Sequence, residues 1–273
     1  MGTLRAIVTG GSHGIGRGCA IAFARHGYDV GITYRSRRED ALEVVRMVEE
    51  LGQKCYLVQA DMHDPSVPER AVGELIEQLG GVDAIVCNAG QTKHYSILNV
   101  TNEDLDYLIN LNFRSYLLSA KTAARWMVKN GVKGSILFTT SSRADRAYPE
   151  DMLYGGLKAG IKRACESIAL DLSPYGIRAN CIAPGGTLID TVDELHPGSF
   201  DRLVPLGRLG TPIEVGEAAV YLSGPYAQYI TGTTLRLDGG LVLAGVPESL
   251  PDSAEWINPA WTKKQYDKLM EDE

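Results

Sequence analysis

The chain has 273 residues, of which 44% are hydrophobic and 22% charged, and its formal net charge is -7. That length suits one α/β domain with a sizeable core, and the composition excludes a disordered chain. The acidic balance argues against nucleic-acid and anionic-membrane partners, since both need a basic face.

The elements alternate along the chain. Short apolar runs predict strands at residues 4–9, 29–34, 54–60, 84–87, 135–140, 177–183 and 234–237. Several are near-continuous in apolar character, which suits strands covered on both faces. Helical periodicity predicts helices at residues 14–26, 39–51, 66–79, 102–129, 153–173 and 212–223. Alternation of this kind implies βαβ units, right-handed crossovers and a parallel sheet. The expected fold class is α/β: a doubly wound parallel sheet of about seven strands with helices on both faces, in a single domain over residues 1–245. Residues 246–273 form a C-terminal extension. Its Trp256 and Trp261 imply docking onto the domain or a neighbouring subunit.

Two predicted helices are apolar on more than one face. Leu108, Leu111, Leu117 and Ala124 mark the first, and Leu157, Ile161, Cys165 and Leu172 mark the second. A helix of that kind must bury more than one face. One face covers the sheet, and the other implies a homo-oligomer, dimer or tetramer, or a cover formed by the tail.

The five cysteines, Cys19, Cys55, Cys87, Cys165 and Cys181, form no CxxC pair. Scattered thiols in odd number read as reduced, not as a disulfide framework. A strand pattern from Leu4 leaves no room for a leader peptide, and no apolar run reaches membrane-spanning length. The expected compartment is the cytoplasm. The five histidines show neither HxH nor HExxH spacing, so no metal is expected.

Between the first strand and first helix stands Thr9-Gly10-Gly11-Ser12-His13-Gly14-Ile15-Gly16. The chain must turn sharply there, and glycine lets its backbone approach a pyrophosphate closely. The helix N-terminus then directs free N–H groups at the phosphates. The order strand, glycine loop, helix marks a dinucleotide site. The spacing is GxxxGxG.

Further along stand Asp61 after the third strand, Cys87-Asn88-Ala89-Gly90 after the fourth, and Ser141 after the fifth. Tyr154-Gly155-Gly156-Leu157-Lys158 and then Pro184-Gly185 follow. From Leu4 to about Gly240 this ordered set resembles the short-chain dehydrogenase/reductase family. Within it the chain is similar to bacterial glucose dehydrogenases and 3-oxoacyl-acyl-carrier-protein reductases. The resemblance implies an NAD(P)(H)-dependent oxidoreductase that interconverts a carbonyl and a secondary alcohol or sugar hemiacetal. It implies catalytic roles for Asn112, Ser141, Tyr154 and Lys158. Asn110 competes with Asn112 for its place, and Ser142 with Ser141. The implied cofactor contacts are Gly10, Ser12, His13, Gly14, Ile15 and Gly16 in the loop, and Tyr34, Arg35 and Ser36 after the second strand. Asp61 and Met62, Asn88, Ala89 and Gly90, Tyr154 and Lys158, and Pro184, Gly185 and Thr187 complete the set. Where the family has Thr, this chain has Ile189, so Thr187 or Thr191 would take over the nicotinamide contact.

The residue types fit that chemistry. Tyr154 and Lys158 stand at i and i+4, on one helix face. A free phenol has a pKa of about 10, and an adjacent ammonium stabilises its ionised form. Ser141 would hold the substrate oxygen. No acid precedes Glu39 after the second strand, and Arg35 and Arg37 suit a 2′-phosphate, so NADP(H) is favoured and NAD(H) is the alternative. Arg143, Arg146 and Tyr148 suggest a small polar or hydroxyl-rich substrate. A non-catalytic dinucleotide-binding regulatory protein on the same fold is the rival reading, against which the chain keeps both Tyr154 and Lys158.

Overall fold

The computed structural model describes residues 3–189 and 204–243. Seven strands form one sheet in the order β3-β2-β1-β4-β5-β6-β7. They are β1 (Leu4–Val8), β2 (Tyr28–Tyr34), β3 (Cys55–Gln59), β4 (Ala84–Cys87), β5 (Ser135–Thr139), β6 (Arg178–Pro184) and β7 (Thr234–Leu237). Every neighbouring pair is parallel. The described helices are α1 (Gly14–Arg25), α2 (Arg38–Glu50), α3 (Val67–Leu79), α4 (Asn102–Ile109), α5 (Ser115–Asn130), α6 (Met152–Leu172) and α7 (Pro212–Ser223). This is the doubly wound architecture that the alternation of elements implies.

The apolar runs of the central strands have a direct cause. Successive side chains enter different cores, because successive Cβ atoms leave opposite faces of a sheet. Ile7, Ile85, Ile136, Phe138 and Cys181 join the core built with α3, α5 and α6. Ala6, Val8, Val86, Leu137 and Ile182 join the core built with α1, α2 and α7. With both faces covered, no polar alternation survives. The helices α1 and α7 cross closely, for a Cβ on Gly216 would lie 2.4 Å from the Gly18 carbonyl oxygen.

One predicted element differs. The continuous helix expected at 102–129 is α4, a π-helical turn (Asn110–Arg114) and then α5. The Ser115 N–H reaches back five residues to the Asn110 carbonyl. Ser115 Oγ donates to the Leu111 carbonyl at 2.6 Å, a side-chain bond that competes with the helical ladder. The apolar period runs through this turn almost unbroken, so the pattern alone reads as one helix. Turns of this type often occur at functional sites.

The strand order reverses between β1 and β4, and the crevice for a ligand lies outside the carboxyl ends there. The glycine loop leaves β1, Arg35 follows β2, Asp61 follows β3, Asn88 follows β4, Ser141 follows β5 and Gly185 follows β6. One edge of the sheet thus collects nearly every residue singled out in the sequence. The C-terminal extension, Thr191 and most of the segment that follows Thr187 fall outside the described residues.

Candidate active site

The glycine loop is shaped as a cradle. Gly10 and Gly14 have φ of 66° and 52°, a left-handed backbone that side chains rarely tolerate. A Cβ on Gly16 would lie 2.1 Å from the Gly10 carbonyl oxygen and 2.8 Å from Asn88 Nδ2. Asn88 stitches this loop to β4: its N–H donates to Thr9 Oγ1 at 2.8 Å and its Nδ2 donates to the Thr9 carbonyl at 3.1 Å. The Ala89 N–H donates to the same hydroxyl at 3.0 Å. From the other side Gly10 N–H donates to Thr33 Oγ1 at 2.9 Å.

The N-terminus of α1 is left open for an anion. His13 is its N-cap, with no capping side-chain bond, and no acid stands in its first turn. Ser12 Oγ lies 3.1 Å from His13 Nδ1. By contrast α4 and α7 close their N-termini with capping boxes, Thr101 with Asp104 and Thr211 with Glu214. Uncapped N–H groups and the positive end of the helix dipole suit a pyrophosphate. The cradle therefore fits a dinucleotide, by the space that the missing Cβ atoms leave and by its free donors.

Tyr154 and Lys158 occupy the first two turns of α6. Lys158 is 3% exposed. Its Nζ donates to Tyr116 Oη and to the Thr139 carbonyl, both at 2.8 Å. Tyr116 Oη in turn donates to the Asn88 carbonyl at 3.0 Å. The same Nζ stands 5.6 Å from the centre of the Tyr154 ring. Burial raises the Tyr154 phenol above its ordinary range, while hydrogen-bonding contacts with Thr92 and Ser141 pull it back. Ser141 begins a short 3-10 turn, Ser142–Ala144, and its Oγ accepts from the Arg143 N–H at 3.2 Å.

The two pairs of candidates differ in position. Ser141 contacts Tyr154, whereas Ser142 is buried within the 3-10 turn. Asn112 is fully buried in the π-helical turn. Its Nδ2 donates to the Gln91 carbonyl at 2.9 Å and its Oδ1 accepts from the Gln91 N–H at 3.1 Å. Asn110 instead accepts from Arg114 Nη1 at 2.7 Å on the surface. Asn112 so holds the loop that leaves β4, and Gly90 makes room: a Cβ there would lie 2.5 Å from Asn112 Oδ1.

Comparison with known proteins agrees with this geometry. A family model described as Enoyl-(Acyl carrier protein) reductase matches residues 10–242. L-rhamnose 1-dehydrogenase (NAD(P)(+)) of a Sphingomonas strain is 34% identical over 86% of this chain and 94% of its own. The chain belongs to the short-chain dehydrogenase/reductase family. Acetoin dehydrogenase of Salmonella typhimurium is 31% identical over 89% of this chain and 99% of its own, with a TM-score of 0.84. A short-chain dehydrogenase of Burkholderia cenocepacia in complex with NADP is 34% identical over 87% of this chain and 97% of its own, with a TM-score of 0.82. The protein is an NAD(P)-dependent oxidoreductase of the carbonyl/alcohol type, with a nicotinamide dinucleotide as its cofactor.

Within this short-chain dehydrogenase the crevice is polar beside the ends of β2 and β3. Arg35 Nη1 donates to Tyr107 Oη at 3.1 Å, and Tyr107 Oη donates to Gln91 Oε1 at 3.0 Å. His63 stacks on the Tyr107 ring at 4.7 Å between centres. Asp61 is exposed, with Met62 buried behind it. Tyr34 is buried, and its hydroxyl accepts from Arg38 Nη1 at 3.3 Å. Ser36 lies exposed in the turn before α2. At the other end, Gly185 N–H donates to the Leu237 carbonyl at 2.8 Å, and Thr187 Oγ1 donates to the Gly185 carbonyl at 3.2 Å. Ile189 packs over the glycine loop, 3.1 Å from where a Cβ on Gly14 would sit.

Sequence reasoning missed Tyr116, Thr92 and Tyr107 as polar members of the site. Tyr116 read only as part of an apolar face, although its place four residues after Asn112 was a usable signal. Thr92 and Tyr107 carry no such signal, because their contacts come from distant segments. Among the described residues no three His, Cys, Asp or Glu side chains gather into a metal-ligand set. Among the same residues no helix is long and apolar enough to cross a membrane.

Proposed function

We propose that Tyr154 is the proton-transfer group of a reversible carbonyl–alcohol oxidoreduction. The observation that carries this reading is the contact of the Tyr154 and Ser141 hydroxyls, with Lys158 one helical turn away. Ser141 holds the substrate oxygen and stabilises the charge that develops on it. Tyr154 gives its proton to that oxygen in reduction and takes it back in oxidation. Lys158 stands beside the phenol, where its ionised form favours the phenolate, and would hold ribose hydroxyls. Asn112 fixes the loop that borders the cofactor. The bound dinucleotide supplies or accepts the hydride. Gly10, Ser12, His13, Gly14, Ile15 and Gly16 hold its pyrophosphate, Asp61, Met62 and Asn88 to Gly90 its adenosine half, and Pro184, Gly185 and Thr187 its nicotinamide end.

NADP(H) is the preferred cofactor in this reading. The turn after β2 offers Arg35 and Ser36 and no acid before Glu39. Arg35→Gln is expected to weaken NADPH binding about tenfold, the usual worth of one exposed charge-assisted bond to phosphate. NADH binding should hold or tighten, because Arg35 no longer has to leave Tyr107. Fluorescence titration with both cofactors measures this, and an unchanged ratio of affinities refutes the preference.

The substrate in this reading is a small polar carbonyl or alcohol. Two relatives support that class by their names, an L-rhamnose dehydrogenase and an acetoin dehydrogenase. A panel of ketones, sugars and 3-oxoacyl thioesters, run in both directions, tests it. Five unbridged cysteines, four of them buried, suit a reducing compartment such as the cytoplasm, which cell fractionation checks.

The reading includes self-association. Leu117, Ala120, Ala124, Val128, Ile168 and Leu172 line an apolar groove between α5 and α6. Its rim is basic on α5, with Lys121, Arg125 and Lys129, and acidic on α6, with Asp171. A second copy turned by a two-fold axis sets each basic rim against an acidic one and covers both apolar faces. Light scattering should give a multiple of the 29.6 kDa chain, and a monomer at working concentrations refutes this.

A further inference from the structure

Asp151 is the N-cap of α6, the helix that carries Tyr154 and Lys158, yet its side chain makes no capping bond. An aspartate in that place ordinarily accepts from the first-turn N–H groups. Here the carboxylate is 2% exposed, and Oδ1 faces Arg143 Nη1 at 3.2 Å. That is close enough for an ion pair. Burial raises the Asp151 carboxyl above its usual range, and contacts with Arg143 and the Gly155 N–H pull it back, so Arg143 is its main charged partner.

Arg143 is fixed from several sides. Its N–H donates to Ser141 Oγ at 3.2 Å. Its guanidinium carbon lies 4.6 Å from the centre of the Tyr148 ring. Gly155, the residue next to Tyr154, makes room for both partners. A Cβ there would come within 2.8 Å of Asp151 Oδ2 and 3.0 Å of the Arg143 carbonyl oxygen. The pair therefore packs against Ser141 and Gly155, the neighbours of the Tyr154 side chain.

We propose that Arg143 and Asp151 act as a positioning pair for Tyr154: Asp151 holds the guanidinium in place, and Arg143 supplies positive charge to the developing phenolate. The proposal rests on Tyr154 being the proton-transfer group. In reduction Tyr154 passes its proton to the substrate oxygen and is left as a phenolate until a proton returns from solvent. That phenolate is the species Arg143 stabilises.

The charges around Tyr154 come from several elements. Lys158 lies on its own helix, Asp151 at the start of that helix and Arg143 in the turn after β5. Tyr116 approaches from α5. His94, in the loop after β4, faces Asp151. Burial is the main influence raising the Tyr154 phenol; Arg143 lowers it and Asp151 raises it. By charge alone the two partners thus act on Tyr154 with opposite signs.

The test is the pH dependence of kcat/KM for alcohol oxidation, where the rising limb reports ionisation of Tyr154. Arg143→Gln should move that limb to higher pH and lower kcat/KM at neutral pH roughly tenfold, as expected for one partly screened charge. Arg143→Lys should restore most of the loss. Asp151→Asn frees the guanidinium and should also move the limb to higher pH, by less than Arg143→Gln. Melting curves of each variant separate these effects from instability. Limbs that stay put, or an Asp151→Asn limb that moves to lower pH as loss of a bare charge would give, overturn the proposal. Tyr154→Phe is read separately. If that variant turns over, the assignment of Tyr154 fails; if it is inactive and the limbs stay put, only the pair fails.

Discussion

Tyr154→Phe is expected to lower turnover by about 10²–10⁴-fold, the usual contribution of a positioned acid–base group. The substitution removes one oxygen and keeps the ring, so the packing at the start of α6 persists. Ser141 and Thr92 lose a hydrogen-bonding partner, but both lie at the pocket rather than in the core. Dinucleotide affinity should fall no more than about fivefold, the worth of one hydrogen bond of about 1 kcal/mol. Steady-state kinetics with a responsive substrate, together with a fluorescence titration of the cofactor, separates the two effects. Turnover within tenfold of the parent would remove Tyr154 from the mechanism and return the chain to a binding role.

Lys158→Met should have the second largest effect, a loss of about 10²–10³ in kcat/KM, comparable to removing one preorganised electrostatic donor. It should also change how stability responds to pH. Burial lowers the Lys158 ammonium from 10.5 to about 7. Between those values the folded protein has largely shed this proton, while the unfolded chain holds it. Unfolding therefore takes up a proton, and stability from this group rises with pH across the window. Below about 7 both states carry the proton, and the burial cost is felt in full. Lys158→Met leaves a stem of similar shape without the charge, so this rise should disappear. Melting temperatures of parent and variant from pH 7 to 10 check it. Buried Cys19 and Cys87, both pushed upward by burial, act in the opposite sense at the alkaline end. The difference between the two proteins is therefore the quantity to read, and parallel curves would show that Lys158 is not the buried titrating group.

Lys158 belongs to a buried hydrogen-bonded chain. Lys158 Nζ donates to Tyr116 Oη, and Tyr116 Oη donates to the Asn88 carbonyl, which borders the glycine cradle. Lys158 and the glycine loop are thus linked through a buried tyrosine. Tyr116 is 42 positions from Lys158 and 28 from Asn88.

The amino-acid sequence by itself determined the parallel α/β architecture, the glycine cradle and the Tyr154–Lys158 face. Each of these rests on local physics. Runs of apolar residues mark strands covered on both sides, glycines permit a left-handed turn, and spacing of four sets two side chains on one helix face. Tertiary structure alone separates Asn112 from Asn110 and Ser141 from Ser142, through contacts with Gln91 and Tyr154. It also decided the π-helical turn at Asn110–Arg114, which an unbroken apolar period conceals. The Arg143–Asp151 pair belongs to the same class. Its partners are close in sequence, but their burial beside Tyr154 depends on how β5, the loop after β4 and α6 come together. A side chain's chemistry is set by what surrounds it, and those surroundings are long-range contacts.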